Sequence, residues 1–198
     1  MKITIKLLIL TLLGLSILTS SCRKGEDDPF LSFRSRNARL SGEWKLVEAS
    51  KRYEEKVDLK IIATTFELHG NTMKAIQSQV GRPNLSMEFN YSERIEFDKD
   101  GTYDYSIRED GNNYFSKGNW MWVHENEQED IEDKEAVILT VTEDNDGLTY
   151  SGKTNPPREI WVFKKLSNKE LIVELDQQVY DQNGEGYSLI ATFKYTQD

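Results

Sequence analysis

Along most of this chain apolar and polar residues alternate one for one in short segments, and turn residues separate the segments. Ile95, Phe97, Tyr103, Tyr105 and Ile107 fall on alternate positions, as do Trp120 and Trp122, then Leu171, Val173 and Leu175, then Tyr187, Leu189, Ala191, Phe193 and Tyr195. A period of two places one apolar face on each extended segment, so these stretches predict half-buried strands. Glu93–Phe97 and Tyr103–Ile107 flank Asp98-Lys99-Asp100-Gly101, and Asp-Gly between alternating runs is a hairpin signal. The same dipeptide type recurs at Asp110-Gly111, Asp146-Gly147 and Asn183-Gly184. The pattern predicts a meander with strands near 42–50, 59–68, 72–79, 85–98, 102–108, 113–124, 135–143, 147–153, 158–166, 170–180 and 185–196.

Two regions read less simply. Lys60–Leu68 and Met73–Val80 admit helix as well as strand, and the continuous apolar runs Ala136–Val141 and Ile160–Phe163 fit strands covered on both faces or short buried helices. Phe30–Leu40 predicts a short helix or turn over one end of the domain. Pro156-Pro157 belongs in a connection, where a missing N–H does no harm, and the acidic run His124–Glu135 predicts a solvated loop. Eight or more antiparallel strands in about 160 residues make an all-β fold, expected as an up-and-down barrel of about 8–10 strands that closes the sheet and removes its edges. A two-sheet sandwich is the alternative.

The first 21 residues follow a different pattern: Lys2 and Lys6, an apolar run from Leu7 to Leu18, then Thr19-Ser20-Ser21 ahead of Cys22. Twelve apolar residues suit a signal-peptide core and fall short of the roughly 20 that span a bilayer. Leu18-Thr19-Ser20-Ser21-Cys22 resembles the lipobox of bacterial lipoproteins, with Leu one step earlier than usual. The resemblance implies cleavage before Cys22 and its lipidation. Residues 1–21 are then a leader, 22–37 a lipidated N-terminus and charged tether, and 38–198 the β domain. Lys24 followed by Glu26-Asp27-Asp28 resembles the signal some Gram-negative bacteria use to send lipoproteins to the surface; a plain solvated spacer explains it equally. The expected location is the outer membrane, on its periplasmic face or at the cell surface, attached by lipid alone.

Leu40-Ser41-Gly42-Glu43-Trp44 opens the domain with Gly-x-Trp. Together with Phe97-Asp98-Lys99-Asp100-Gly101-Thr102-Tyr103, Gly118-Asn119-Trp120-Met121-Trp122 and Ile160-Trp161-Val162-Phe163-Lys164-Lys165-Leu166, it resembles the lipocalin-like lipoproteins of the Gram-negative envelope. The resemblance implies that Trp44 plugs a closed barrel end under a late basic residue (Arg158, Lys164 or Lys165), and that the lumen receives a small hydrophobic or amphipathic ligand. There is no Thr-Asp-Tyr motif of the classical lipocalins.

Composition narrows the function classes. Cys22 is the only cysteine, so no intramolecular disulfide is available. The net charge is −9, and loss of two lysines with the leader leaves −11, which repels nucleic-acid phosphates and excludes them as the expected partner. Only His69 and His124 are present and no thiol survives lipidation, so no nucleophilic triad and no zinc set stands out. Paired carboxylates occur by chance among 34 acidic residues. Thr142–Gly147 resembles part of a calcium loop, but Thr142 and Lys153 occupy positions where an EF-hand needs acids. No cofactor, metal or catalytic residue is expected, and the oligomeric state stays open. The chain reads as a non-enzymatic binding protein, with Tyr103, Tyr105, Trp120 and Trp122 as expected cavity-lining residues. The alternative is an accessory lipoprotein with a packed barrel that contacts a protein or glycan partner.

Overall fold

A computed structural model describes residues 34–57, 60–123, 135–145, 156–180 and 185–197. Among these described residues are one five-residue helix, α1 (Arg36–Leu40), and ten strands: β1 (Gly42–Val57), β2 (Lys60–His69), β3 (Thr72–Gln79), β4 (Leu85–Phe97), β5 (Thr102–Glu109), β6 (Asn112–Trp122), β7 (Glu135–Asp144), β8 (Arg158–Leu166), β9 (Glu170–Tyr180) and β10 (Gly186–Thr196). Every strand pairs antiparallel with its sequence neighbour, and β10 returns to β1, which closes the barrel. The barrel, rather than the sandwich, is the architecture. Residues 60–79 form strands and no helix, consistent with the β-branched Ile61, Ile62, Thr64 and Thr65. The first strand runs to Val57, well past its expected end at residue 50. Lys51 and Glu55 interrupt its inward stripe and hide the alternation. The expected strand at 147–153 and the turns at Asp146-Gly147 and Asn183-Gly184 lie outside the described residues, as does His124.

The described hairpin turns use the chemistry their dipeptides foretell. Asp110 (φ 44°) and Gly111 (φ 88°) both take positive φ, as a two-residue turn matched to strand twist requires. Asp98–Gly101 closes through the Thr102 carbonyl accepting from the Asp98 N–H at 2.9 Å, and Asp100 Oδ1 accepts from the Thr102 N–H at 3.0 Å.

The number of strands around the barrel changes along its axis. Gly42–Lys45 of β1 pairs directly with Arg94–Phe97 of β4, beneath the β2–β3 hairpin. At that end the wall holds eight strands, since β2 and β3 are absent from it; at the other end it holds all ten. Eight strands enclose an interior just wide enough for side chains to fill. Here they are filled: Trp44, Ile95, Phe97, Phe163, Leu171 and Tyr195 are at most 1% exposed. Trp44 donates its indole N–H to the Leu40 carbonyl at 2.7 Å. Edge-to-face contacts link Phe97 to Trp120 and to Trp161, and Trp122 to both Trp120 and Phe163.

Helix α1 covers this closed end. Ser35 caps it by accepting from the Ala38 N–H. Arg36 lies 4.6 Å over the Trp122 ring, whose N–H donates to Asn37. Arg39 reaches inward, donating to the Leu166 carbonyl at 2.6 Å and pairing with Glu135 at 3.3 Å. The buried basic group at this end is therefore Arg39 from the N-terminal helix. Arg158 is exposed, while Lys164 and Lys165 pair with Glu174 and Glu170 along β8 and β9. Outward positions carry charge, as at Arg94–Glu43 and Lys117–Asp104, the reverse of a lipid-facing apolar band. Among the described residues no helix is long and apolar enough to cross a membrane.

Candidate functional site

Where the wall widens to ten strands the side chains no longer meet, and a cavity of about 370 Å³ remains. Phe66 and Met73 come from the inserted hairpin, Phe89 from β4, and Leu175, Leu189 and Phe193 from β9 and β10. These form the apolar walls. Tyr91, Glu93, Tyr105, Trp161 and Tyr195 provide a deeper, polar surface, with Lys51, Glu109 and Glu159 also in the lining. Two further hollows share walls with it. One of about 200 Å³ continues past Phe66 toward Ala75, Leu85 and Met87, and the other lies beside Glu159, Leu175 and Leu189.

Glu93 is the centre of the polar surface. It occupies an inward position of β4 between Tyr91 and Ile95, and is 3% exposed. Tyr195 donates its hydroxyl to one carboxyl oxygen, and Tyr91 donates to the other at 2.6 Å. Burial pushes the Glu93 carboxyl above its ordinary range, while hydrogen bonds from Tyr195, Tyr91 and Tyr105 and the nearby Lys51 ammonium pull it back. The three phenols are raised, first by burial and then by the neighbouring carboxylate, so they remain protonated donors.

Glu159 lines the cavity at an inward position of β8 and is exposed to solvent there. Burial raises its carboxyl; the hydrogen bond from Trp161 lowers it, Glu93 raises it and Lys51 lowers it. Lys51 therefore lies in the field of both acids. Its ammonium sits 5.5 Å over the Phe66 ring. Trp161 stacks on Tyr195 with centroids 5.6 Å apart and meets Tyr105 edge to face. The site is thus a row of aromatic faces with carboxyl groups set among them.

Of the four residues expected in the cavity wall, Tyr105 lines it. Tyr103, Trp120 and Trp122 do not: they point inward as their alternation requires, but toward the closed end. Trp120 donates to the Asp98 carbonyl, Trp122 packs under α1, and burial pushes the Tyr103 hydroxyl up to about 12. Gly42 and Trp44 stand at the start of β1, Trp44 fully enclosed. Cys22 lies outside the described residues. Glu93, Glu159 and Lys51 went unpredicted, although the sequence carries a signal for them. Each falls in phase with an apolar stripe (Tyr91-x-Glu93-x-Ile95, Glu159-x-Trp161-x-Phe163, Ala49-x-Lys51-x-Tyr53), and a charge at an inward position requires a reason.

Among the described residues no three His, Cys, Asp or Glu side chains converge closely enough to hold a metal ion. His69 is exposed beside Glu67. No protein-family model matches the chain, and no curated protein matches it.

Proposed function

We propose that this chain is a lipid-anchored protein of the Gram-negative outer membrane, of lipocalin-like type, whose barrel binds one small amphipathic molecule without transforming it. The observation that carries the binding reading is the cavity of about 370 Å³ with apolar walls and a few convergent polar groups at its depth. That is the general form of a small-molecule site. Tyr91 and Tyr195 hold the Glu93 carboxyl from both oxygens, a fixed polar group of the kind that orients a bound molecule, and this supports the recognition reading.

The anchor reading rests on the lipobox-like sequence ending at Cys22. The fold agrees with it in one respect. The described chain enters at the closed end, where Asn37 meets Trp122, so attachment through the preceding residues leaves the cavity at the free end of the barrel. Two or more acyl chains, at about 0.8 kcal/mol per buried methylene, would hold the protein permanently.

Native mass spectrometry of the full chain extracted from its own membranes tests the binding reading. The expected spectrum shows protein carrying a small molecule that dissociates on activation. Extracts that show only bare protein, or a bound polypeptide, refute it, and the polypeptide supports the accessory-protein alternative. Cys22→Ser is expected to release the protein from the membrane fraction; a serine variant that stays bound overturns the anchor.

A further inference from the structure

The lining of the cavity contains three carboxyl groups, Glu93, Glu109 and Glu159, against one ammonium, Lys51. Among the described residues Lys51 forms no ion pair with any of them; it lies over the Phe66 ring. A ligand carboxylate would add a fourth acid to this set. A neutral polar head would leave the excess negative charge uncompensated, whereas an ammonium would be attracted by the carboxyls and by the faces of Trp161 and Tyr105. The apolar surface lies on the mouth side of these groups, past Phe66 toward Leu85 and Met87.

Resting on the reading of the barrel as a small-molecule binder, we propose that its ligand is a primary amine with an apolar body, bound head first. The ammonium lies between Glu93 and Glu159 beside Trp161, and the body runs out along Phe66 toward the mouth. At about 30 Å³ for each water-sized group, a cavity of this volume takes on the order of a dozen heavy atoms. The class is therefore arylalkyl or medium-chain alkyl monoamines.

Binding is coupled to a proton. The groups facing Glu93 are Tyr91 on its own strand, Tyr105 on β5, Tyr195 on β10, Lys51 on β1 and Glu159 on β8. The phenols stay protonated, so a cation in the site acts on the two carboxyls. Burial raises the Glu93 carboxyl, and an arriving ammonium favours its ionised form. Amine affinity then rises with pH through the raised carboxyl range, below the pH at which the amine itself loses charge.

The test is isothermal calorimetry of the full chain in mild detergent with three water-soluble probes of one shape: 4-phenylbutylamine, 4-phenylbutan-1-ol and 4-phenylbutyrate. The expected result is an amine about tenfold tighter than the alcohol and tighter still than the acid. Glu159→Gln, at the reachable carboxyl, should bring the amine to within about threefold of the alcohol measured on the same variant. Glu93→Gln should also flatten the rise of amine affinity with pH above the ordinary carboxylate range. If the alcohol or the acid binds as tightly as the amine, or Glu159→Gln leaves the amine preference intact, the amine assignment is overturned while the binding reading stands. If none of the three binds, the binding reading itself fails.

Discussion

Removing the guanidinium of Arg39 should destabilise the closed end more than any surface charge deletion, because it breaks a buried ion pair. Arg39 and Glu135 are separated by 96 positions in sequence, lie 3.3 Å apart, and have side chains only 3% and 1% exposed. In Arg39→Met the stem of the side chain is roughly kept, but the Glu135 carboxylate loses its cation and the Leu166 carbonyl loses a charge-assisted donor at 2.6 Å. Breaking one side of such a buried pair costs about 3–5 kcal/mol. Replacing both partners removes the buried charges together, so Arg39→Met with Glu135→Leu should cost less than the single variant, about 1–2 kcal/mol, chiefly for the Leu166 carbonyl.

The assay is urea unfolding of the full chain in mild detergent, followed by tryptophan fluorescence. With a slope of about 2 kcal/mol per molar, the single variant should lower the midpoint by roughly 2 M and the double variant by less than about 1 M, with slopes unchanged. The double-mutant cycle then gives a coupling of about 2 kcal/mol or more. A single variant that costs less than about 1 kcal/mol, or a double variant worse than either single one, would refute the claim that this pair fastens α1 to the barrel.

Three further outcomes follow from the same structure. Trp44→Ala should cost about 3–5 kcal/mol by emptying the plug, whereas Trp44→Phe should cost about 1–2 kcal/mol, mainly the hydrogen bond to Leu40; thermal unfolding distinguishes them. Gly118→Ala should destabilise despite the better strand propensity of alanine, since a Cβ there would stand 2.0 Å from the Thr140 carbonyl oxygen and 2.8 Å from the Tyr103 ring; a variant with wild-type melting behaviour would contradict this. Glu93 and Glu159 are raised above the ordinary 4.5, so the folded chain holds more protons than the unfolded one from that pH upward, and their contribution to stability falls as pH rises. Asp100 and Glu170, lowered by hydrogen bonds from Thr102 and Lys165, act in the opposite sense and lose their contribution as pH falls below about 4. Urea midpoints of wild type and Glu93→Gln across pH 5 to 8 should show a flatter decline in the variant, and parallel curves would refute the Glu93 part.

Strand identity is written locally and is therefore readable from sequence. The alternation through Tyr91–Phe97 and Tyr103–Ile107, with Asp98–Gly101 between them, specifies two strands, their inward faces and their hairpin before any tertiary contact is known. Height along the barrel axis is not written that way. Trp120 and Trp122 share the inward phase with Tyr105, but the pairing of Trp120 with Leu139 and Trp122 with Val137 carries them toward the plug, and that register depends on bulges at Lys117/Gly118 and on closure of the whole ring. The Arg39–Glu135 pair joins a helix to a strand 96 positions away in sequence, and no local pattern announces it.

The cavity has a topological cause that explains why its charged residues went unrecognised. An eight-strand ring holding Trp44, Phe97, Phe163 and Tyr195 has no room left, so any ten-strand extension of the same wall must either grow larger side chains or enclose space. This chain does neither uniformly. It places small or half-buried residues, Ala49, Ala75 and Thr64, around the wider part and puts Glu93, Glu159 and Lys51 at inward positions where an apolar residue would otherwise close the gap. An inward charge in a filled barrel would carry a desolvation cost with no compensation; beside the lumen Glu159 and Lys51 keep access to water, while the buried Glu93 is compensated by the Tyr91 and Tyr195 hydroxyls. The three charges thus report the same fact as the two extra strands. The insertion of β2 and β3 between β1 and β4 sets where the interior stops being core and starts being site.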